Sequence, residues 1–144
     1  MCSTTTSNSK IRILVVDDEP DILLTLKAIL EGRGHYVKTF DNPAEALSDL
    51  TNSNGVAPYD LVITDYRMPG SGISGLDLAK RVKEHTRRKT KVFLMSGSFN
   101  KSSLPEEFIQ ALKSETVEEF IQKPFSNDRL IVIVEKSFLS NKNH

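Results

Sequence analysis

Apolar, β-branched runs recur along this chain at residues 11–16, 36–40, 61–64, 91–95 and 117–122, and a stretch with helical spacing follows each. That alternation is the tightest constraint on what the chain can fold into. Antiparallel neighbours need only a tight turn, whereas parallel strands need a crossover, usually a helix. Five strand–helix units in succession specify an α/β domain: a doubly wound, five-stranded parallel sheet with helices on both faces. Right-handed crossovers leave few ways to wind it.

The helix boundaries are marked by ordinary punctuation. The first helix is expected from Pro20, whose fixed φ suits an initial turn, with Ile22, Leu23, Leu26, Ile29 and Leu30 at helical spacing. "EGRGH" supplies glycines to stop it. A second helix fits residues 43–50, with Asp41 or Asn42 as its cap, a third fits 76–85 and a fourth 105–113. The last fits 128–139, capped by Ser126 or Asn127. Its core, "LIVIVEKSFL", also suits a strand by composition, but its length and cap favour a helix.

The 144 residues suffice for one domain with a proper core and leave no room for a second. Residues 1–10, small and polar, are expected to form a disordered tail, and 141–144 a fraying end; the domain is expected over 11–140. Nineteen basic residues balance nineteen acidic ones, so no global field draws in nucleic acid or an anionic membrane. No apolar run approaches membrane-span length, and the first residues do not read as a signal peptide. Cys2 is the only cysteine, which excludes an internal disulfide and a cysteine-based metal cage. Together these features point to a cytoplasmic protein.

The chemistry is concentrated where strands end. Asp17 and Asp18 close the first strand, Asp65 the third, Ser96 the fourth and Lys123 the fifth. In an open parallel sheet, ligands bind outside the carboxyl ends of strands, where strand order reverses. With order 2-1-3-4-5 the reversal lies between the first and third strands, and Asp17, Asp18 and Asp65 share one crevice beside Ser96 and Lys123. Clustered carboxylates raise one another's pKa unless a cation sits among them. Hard oxygen donors with room for water suit Mg²⁺ or Mn²⁺. With Lys123 as a compact positive charge and Ser96 as a hydroxyl donor, the cluster suits a phosphoryl group carried on one of its own carboxylates.

At these residues the sequence resembles a family. "VVDDEPD", "LVITDYRMPG", "FLMSGS" and "FIQKPF" are similar to the motifs of the receiver domain of two-component response regulators, in order and over nearly the whole folded chain. The resemblance implies a flavodoxin-like fold and a stand-alone phosphoaspartate switch that converts no separate substrate. Asp65 would accept phosphoryl from a sensor histidine kinase or a histidine phosphotransfer protein. Asp18 would bind the metal directly, Asp17 mainly through water, and Arg67 through its backbone carbonyl. Ser96 and Lys123 would each contact a phosphoryl oxygen, and the bond before Pro124 would be cis. On phosphorylation Ser96 would move and Phe120 would turn inward; apart from the resemblance, Phe120 reads as a core residue at rest. The surface of the fourth helix, fifth strand and fifth helix would then bind a separate downstream effector, or a second copy in a homodimer.

Two segments depart from the commonest receiver: "MPGSGISGLDL" is longer than usual, and so is the stretch between Ser96 and Lys123, which puts any inherited dimer mode in doubt. Arg67 either caps the phosphoryl group against water or is a solvated arginine. His35 and His85 read as surface residues. Ile131 and Leu139 face outward together, or else add to burial. Three other functions compete. A phosphatase of the haloacid-dehalogenase type resembles "DDEPD" loosely but needs a lid. A degenerate receiver would lack site residues that are present. A flavodoxin-type electron carrier needs a glycine- and hydroxyl-rich phosphate loop, where "DDEPD" would repel the phosphate.

Overall fold

The computed structural model describes residues 10–52, 58–97 and 104–139. Five strands, β1 (Arg12–Val16), β2 (Tyr36–Phe40), β3 (Leu61–Asp65), β4 (Lys91–Ser96) and β5 (Glu119–Gln122), pair in parallel in the order β2-β1-β3-β4-β5. Five helices connect or follow them: α1 (Pro20–Gly32), α2 (Pro43–Thr51), α3 (Gly75–His85), α4 (Glu106–Lys113) and α5 (Asn127–Leu139). This is the doubly wound α/β architecture that the alternating pattern demands. Of the expected tails, 1–10 and 141–144, all but residue 10 lie outside the described residues, as do 53–57, 98–103 and 140.

Two separate cores account for the layering. Leu14, Val16, Val62, Val92, Leu94 and Phe120 pack on the face covered by α2, α3 and α4. Ile13, Val15, Leu61, Ile63, Phe93 and Ile121 pack on the opposite face beneath α1 and α5. The registers Ile13↔Leu61 and Leu61↔Lys91 keep odd-numbered residues on the α1/α5 side throughout. Because side chains alternate along a strand, an apolar residue is required at nearly every position, and that requirement produces the continuous runs of the sequence.

The helix ends resolve the open choices. Asn42 caps α2, its Oδ1 accepting from the Ala44 and Glu45 amides at 2.7 and 3.3 Å. Ser126 caps α5, accepting the Arg129 N–H at 3.1 Å. α1 closes through Gly34 at φ 93°, a left-handed conformation open to glycine without cost. α3 starts one residue early because Ser74 and Asp77 form a reciprocal capping box.

Three expectations need correction. β5 begins at Glu119 rather than at residue 117, because the Thr116 and Val117 amides close the end of α4 on Ala111 O. His35 is not a surface residue: it is 7% exposed, and its Nδ1 accepts the Ile11 N–H at 3.2 Å, just ahead of β1, which begins at Arg12 rather than at residue 11. His85 is half-buried. On α5 the open choice for Ile131 falls toward burial, since it is half-buried, and the residue that faces solvent with Leu139 is Val132, 60% exposed.

One glycine fixes the position of the third strand's end. A Cβ on Gly75 would lie 2.3 Å from Asp65 O and 2.9 Å from Tyr66 Cα, and the Gly75 N–H donates to Tyr66 O at 2.9 Å. Backbone cannot yield to such a contact, so Gly75 lets the first turn of α3 rest directly on residues 65–66. Gly75→Ala is expected to destabilise the domain by about 1–3 kcal/mol, read as a lower denaturation midpoint in urea at unchanged m-value.

Candidate functional site

The carboxyl ends of β1, β3, β4 and β5 form one cleft lined by Asp18, Glu19, Asp65, Arg67, Ser96 and Lys123. Asp17 lies beneath it with no exposed surface. Each side chain is delivered by the sheet: Asp17 and Asp18 follow β1 directly, Asp65 and Ser96 are the last residues of β3 and β4, and Lys123 follows β5. The Lys123 N–H donates to Ser96 O at 2.9 Å, which continues the ladder one residue past β5. The bond from Lys123 to Pro124 is cis.

Lys123 organises the charges. Its Nζ donates to Asp17 Oδ2 at 2.8 Å and lies 3.2 Å from Asp65 Oδ1 and 3.6 Å from Glu19 Oε2. The other oxygen of Asp17 accepts the Glu19 N–H at 2.9 Å, so both Asp17 oxygens are held from within the protein. Asp18, by contrast, is exposed toward the cleft mouth.

Burial dominates the titration of the two inner acids. It raises Asp17 above the usual carboxylate range, although the Lys123 and Glu19 hydrogen bonds favour the charged form. It pushes the Asp65 carboxyl up to about 6, with the Asp17 charge adding to the effect and Lys123 opposing it. For Lys123, burial works against the ammonium, but bonding and attraction to Asp17 and Asp65 outweigh it, and the proton is held more tightly than in an ordinary lysine. One cation thus faces several carboxylates, and the balance remains unfavourable to a charged Asp65.

Carboxylate oxygens of Asp17, Asp18, Glu19 and Asp65 all lie within 4.8 Å of one another. The donor set is oxygen-only and carries an excess of negative charge, with two acids, Asp18 and Glu19, exposed at the cleft. That chemistry fits a hard divalent cation that keeps part of its water shell.

Residues 13–135 match the response regulator receiver domain. The chain belongs to this family. As a receiver it is 35% identical over 126 residues to the nitrogen assimilation regulatory protein NtrX of Azorhizobium caulinodans, covering 87% of this chain and 25% of that protein. A solved receiver domain protein from Clostridium thermocellum superposes with TM-score 0.74 at 30% identity, covering 91% of this chain and 95% of that one. The chemotaxis protein CheY4 of Vibrio cholerae shares the fold, with TM-score 0.73 at 23% identity, over 89% of this chain and 98% of that one. The receiver spans a quarter of the length of the NtrX-type relatives it matches.

The receiver's structure brings Asp17, Asp18, Asp65, Ser96 and Lys123 to one cleft, with Arg67 exposed at its edge. The guanidinium carbon of Arg67 lies 5.9 Å from the Tyr66 ring centroid. Phe120 is elsewhere, 4% exposed in the core beneath α4. Its ring stacks on Phe108 at 4.8 Å and 4°, and Phe108 meets Tyr66 edge-on at 4.8 Å. Phe120 is therefore inward here, in the core position expected of it at rest. Sequence reasoning did not single out Tyr66, Phe108, Glu107 or Gly75. Tyr66 hydrogen-bonds Glu107 at the start of α4, which ties the residue after Asp65 to that helix. The one sequence signal for this link is the aromatic beside Asp65.

The raised Asp65 pKa sets a pH dependence. The folded state binds this proton more tightly than the unfolded chain, so the group's contribution to stability falls as pH rises from the ordinary value of 3.8 through about 6. Without divalent cations, Asp65→Asn is expected to be more stable than wild type by about 1–2 kcal/mol above pH 7, the gain shrinking toward pH 4, in thermal melts across that range.

Proposed function

We propose that this receiver is a phosphoacceptor signalling module that takes phosphoryl onto Asp65 from a phosphohistidine. The donor is a sensor histidine kinase or a histidine phosphotransfer protein. The observation that carries the reading is the placement of the Asp65 carboxylate within reach of both Lys123 and the other acids of one cleft. The names of relatives such as NtrX, a regulatory protein, support a role in regulation.

In the proposed reaction an Asp65 oxygen bonds to phosphorus as the bond to the donor imidazole nitrogen breaks and that nitrogen keeps the electron pair. Lys123, now 3.2 Å from Asp65, pairs with a phosphoryl oxygen, and the Ser96 hydroxyl donates to another. Asp17, Asp18, Asp65 and the Arg67 backbone carbonyl would hold Mg²⁺, or Mn²⁺ in its place. When bound, the cation offsets the charge of the carboxylates and of the phosphoryl oxygens. Asp17 contributes in a second way: its two internal hydrogen bonds fix the position of Lys123. The module promotes its own phosphorylation and hydrolysis, and turns over no other substrate.

For the readout, we assign the coupling to Ser96 and Phe120 acting through the packed rings of Phe108 and Tyr66. Phe120 has no hydroxyl, and its inward ring already contacts α4, so a shift at the cleft reaches α4 through packing. The surface of α4, β5 and α5 then engages a separate effector, or a second copy as a homodimer; Val132 and Leu139 supply apolar contact on α5. We take residues 11–140 as the receiver domain, flanked by tails at 1–10 and 141–144. We assign it to the cytoplasm, without direct binding to nucleic acid or membrane; among the described residues no helix is long and apolar enough to cross a bilayer.

Incubation with acetyl phosphate and Mg²⁺ should add one phosphate to the intact mass of the wild type and none to Asp65→Asn; an equal gain in both would sink the assignment. Arg67 at the cleft edge caps the phosphoryl group against water, so Arg67→Ala should lose its phosphate about two- to tenfold faster, followed as decay of the phosphorylated mass after donor removal. Equal or slower decay would leave Arg67 a solvated side chain.

A further inference from the structure

Charge is distributed very unevenly in this neutral chain. Seven of its nineteen lysines and arginines lie between Lys80 and Lys91, against one acid, Glu84. They occupy the second half of α3 and the turn into β4, at the amino ends of the strands. A five-residue strand spans roughly 17 Å, so this pole is a sheet's length from the acidic cleft.

Favourable interaction with the α3 dipole explains part of the cluster. Cations in a helix's last turn are stabilised there, which covers Lys83 and His85. Lys83 is also structural: it is buried, and its Nζ bonds both Glu118 oxygens and Thr90 O. Lys91 is occupied as well, donating to Ser137 O at 2.8 Å. Lys80, Arg81, Arg87, Arg88 and Lys89 remain, all exposed. Among the described residues, no ion pair takes up any of the five.

The backbone adds a second observation. Arg87 and Arg88 have φ of 54° and 65°, the left-handed region where glycine or asparagine closes a helix with least strain. Two successive arginines there cost stability that the closing bonds, Arg88 N–H to Lys83 O and Lys89 N–H to Thr86 O, do not require of arginine. Arg88 is braced on Ser114 O at 2.6 Å. With Lys80, Lys83, Glu84 and Thr116, the two arginines line a cleft between α3 and the turn after α4.

We propose that this pole is a docking surface for an acidic, Asp- and Glu-rich segment of a partner protein, engaged while the Asp65 cleft stays open to its phosphodonor. Guanidinium forks match carboxylates in pairs, and a short acidic segment needs only local complementarity. Nucleic acid is the weaker match. A nucleic-acid domain carries a broad positive field, with pI above about 9, whereas this chain has pI 6.8 and no aromatic in the cleft to stack a base.

The test is fluorescence anisotropy of a labelled poly-glutamate peptide with the full chain. The patch variant combines Arg81→Gln, Arg87→Asn and Lys89→Gln. The control removes the same charge from the α1/α5 side through Lys27→Gln, Arg129→Gln and Lys136→Gln. Wild type and control should bind with affinity that falls as salt rises, and the patch variant about tenfold or more weakly. The patch variant should melt no lower than wild type, because asparagine suits the left-handed position of residue 87. Equal weakening in both variants would reduce the effect to net charge and overturn the proposal. So would an absence of wild-type binding at low salt, or tighter patch-dependent binding of a labelled DNA duplex. Phosphate uptake from acetyl phosphate should be the same in the patch variant, so this result stands apart from the assignment of Asp65.

Discussion

The ammonium of Lys123 lies between Asp17 and Asp65, and the organisation of the cleft follows from that contact. Two carboxylates at the buried end of a sheet repel each other and lose their water, and each effect favours protonation. A lysine reaching across from β5 makes their ionisation tolerable without fully compensating it. The remaining imbalance leaves a negative cleft whose oxygen donors fit a hard divalent cation. Asp17 is saturated by Lys123 and the Glu19 amide, while Asp65 has weaker internal support. Both acids are buried, so the difference between them lies in how fully their oxygens are bonded from within the protein.

The sheet makes this contact and also isolates it. The α1/α5 face and the α2/α3/α4 face are packed independently, so the strands form a rigid plane whose carboxyl edge holds the charges. Beyond that edge the close approach of Gly75 to Asp65 and Tyr66 fixes the connection into α3. On the same side Tyr66, Phe108 and Phe120 form a continuous aromatic contact from the residue after Asp65 to β5. These rings join the end of β3 to α4 and β5 by direct contact. The opposite edge carries the excess of cations, leaving the molecule acidic at one end and basic at the other.

Much of this was legible in residue order because the relevant physics is local or periodic. Nearly continuous β-branched runs separated by helical spacing report burial on both faces of a parallel sheet, and the strand ends then mark the ligand edge. Asp17, Asp18, Asp65, Ser96 and Lys123 could be picked out by position alone. Other features were not legible because they depend on contacts between distant segments. His35 looks like a loop histidine until its ring is seen to accept the Ile11 amide. Phe120 reads as a core residue, but its partner there, the stacked ring of Phe108, cannot be read from residue order. Gly75 looks like one more small residue in a glycine-rich loop, and nothing local shows that backbone fills the space beside its Cα.

The sequence by itself determined the parallel α/β class, the place of each strand end and the chemical types brought there, since periodicity and punctuation depend on neighbours along the chain. Tertiary structure alone decided which acid is buried and which stays open, that Lys123 spans two of them, and which aromatic rings touch. Those outcomes turn on distances of a few ångströms between strands far apart in sequence, where desolvation and Coulomb attraction change steeply, and no pattern along one segment encodes them.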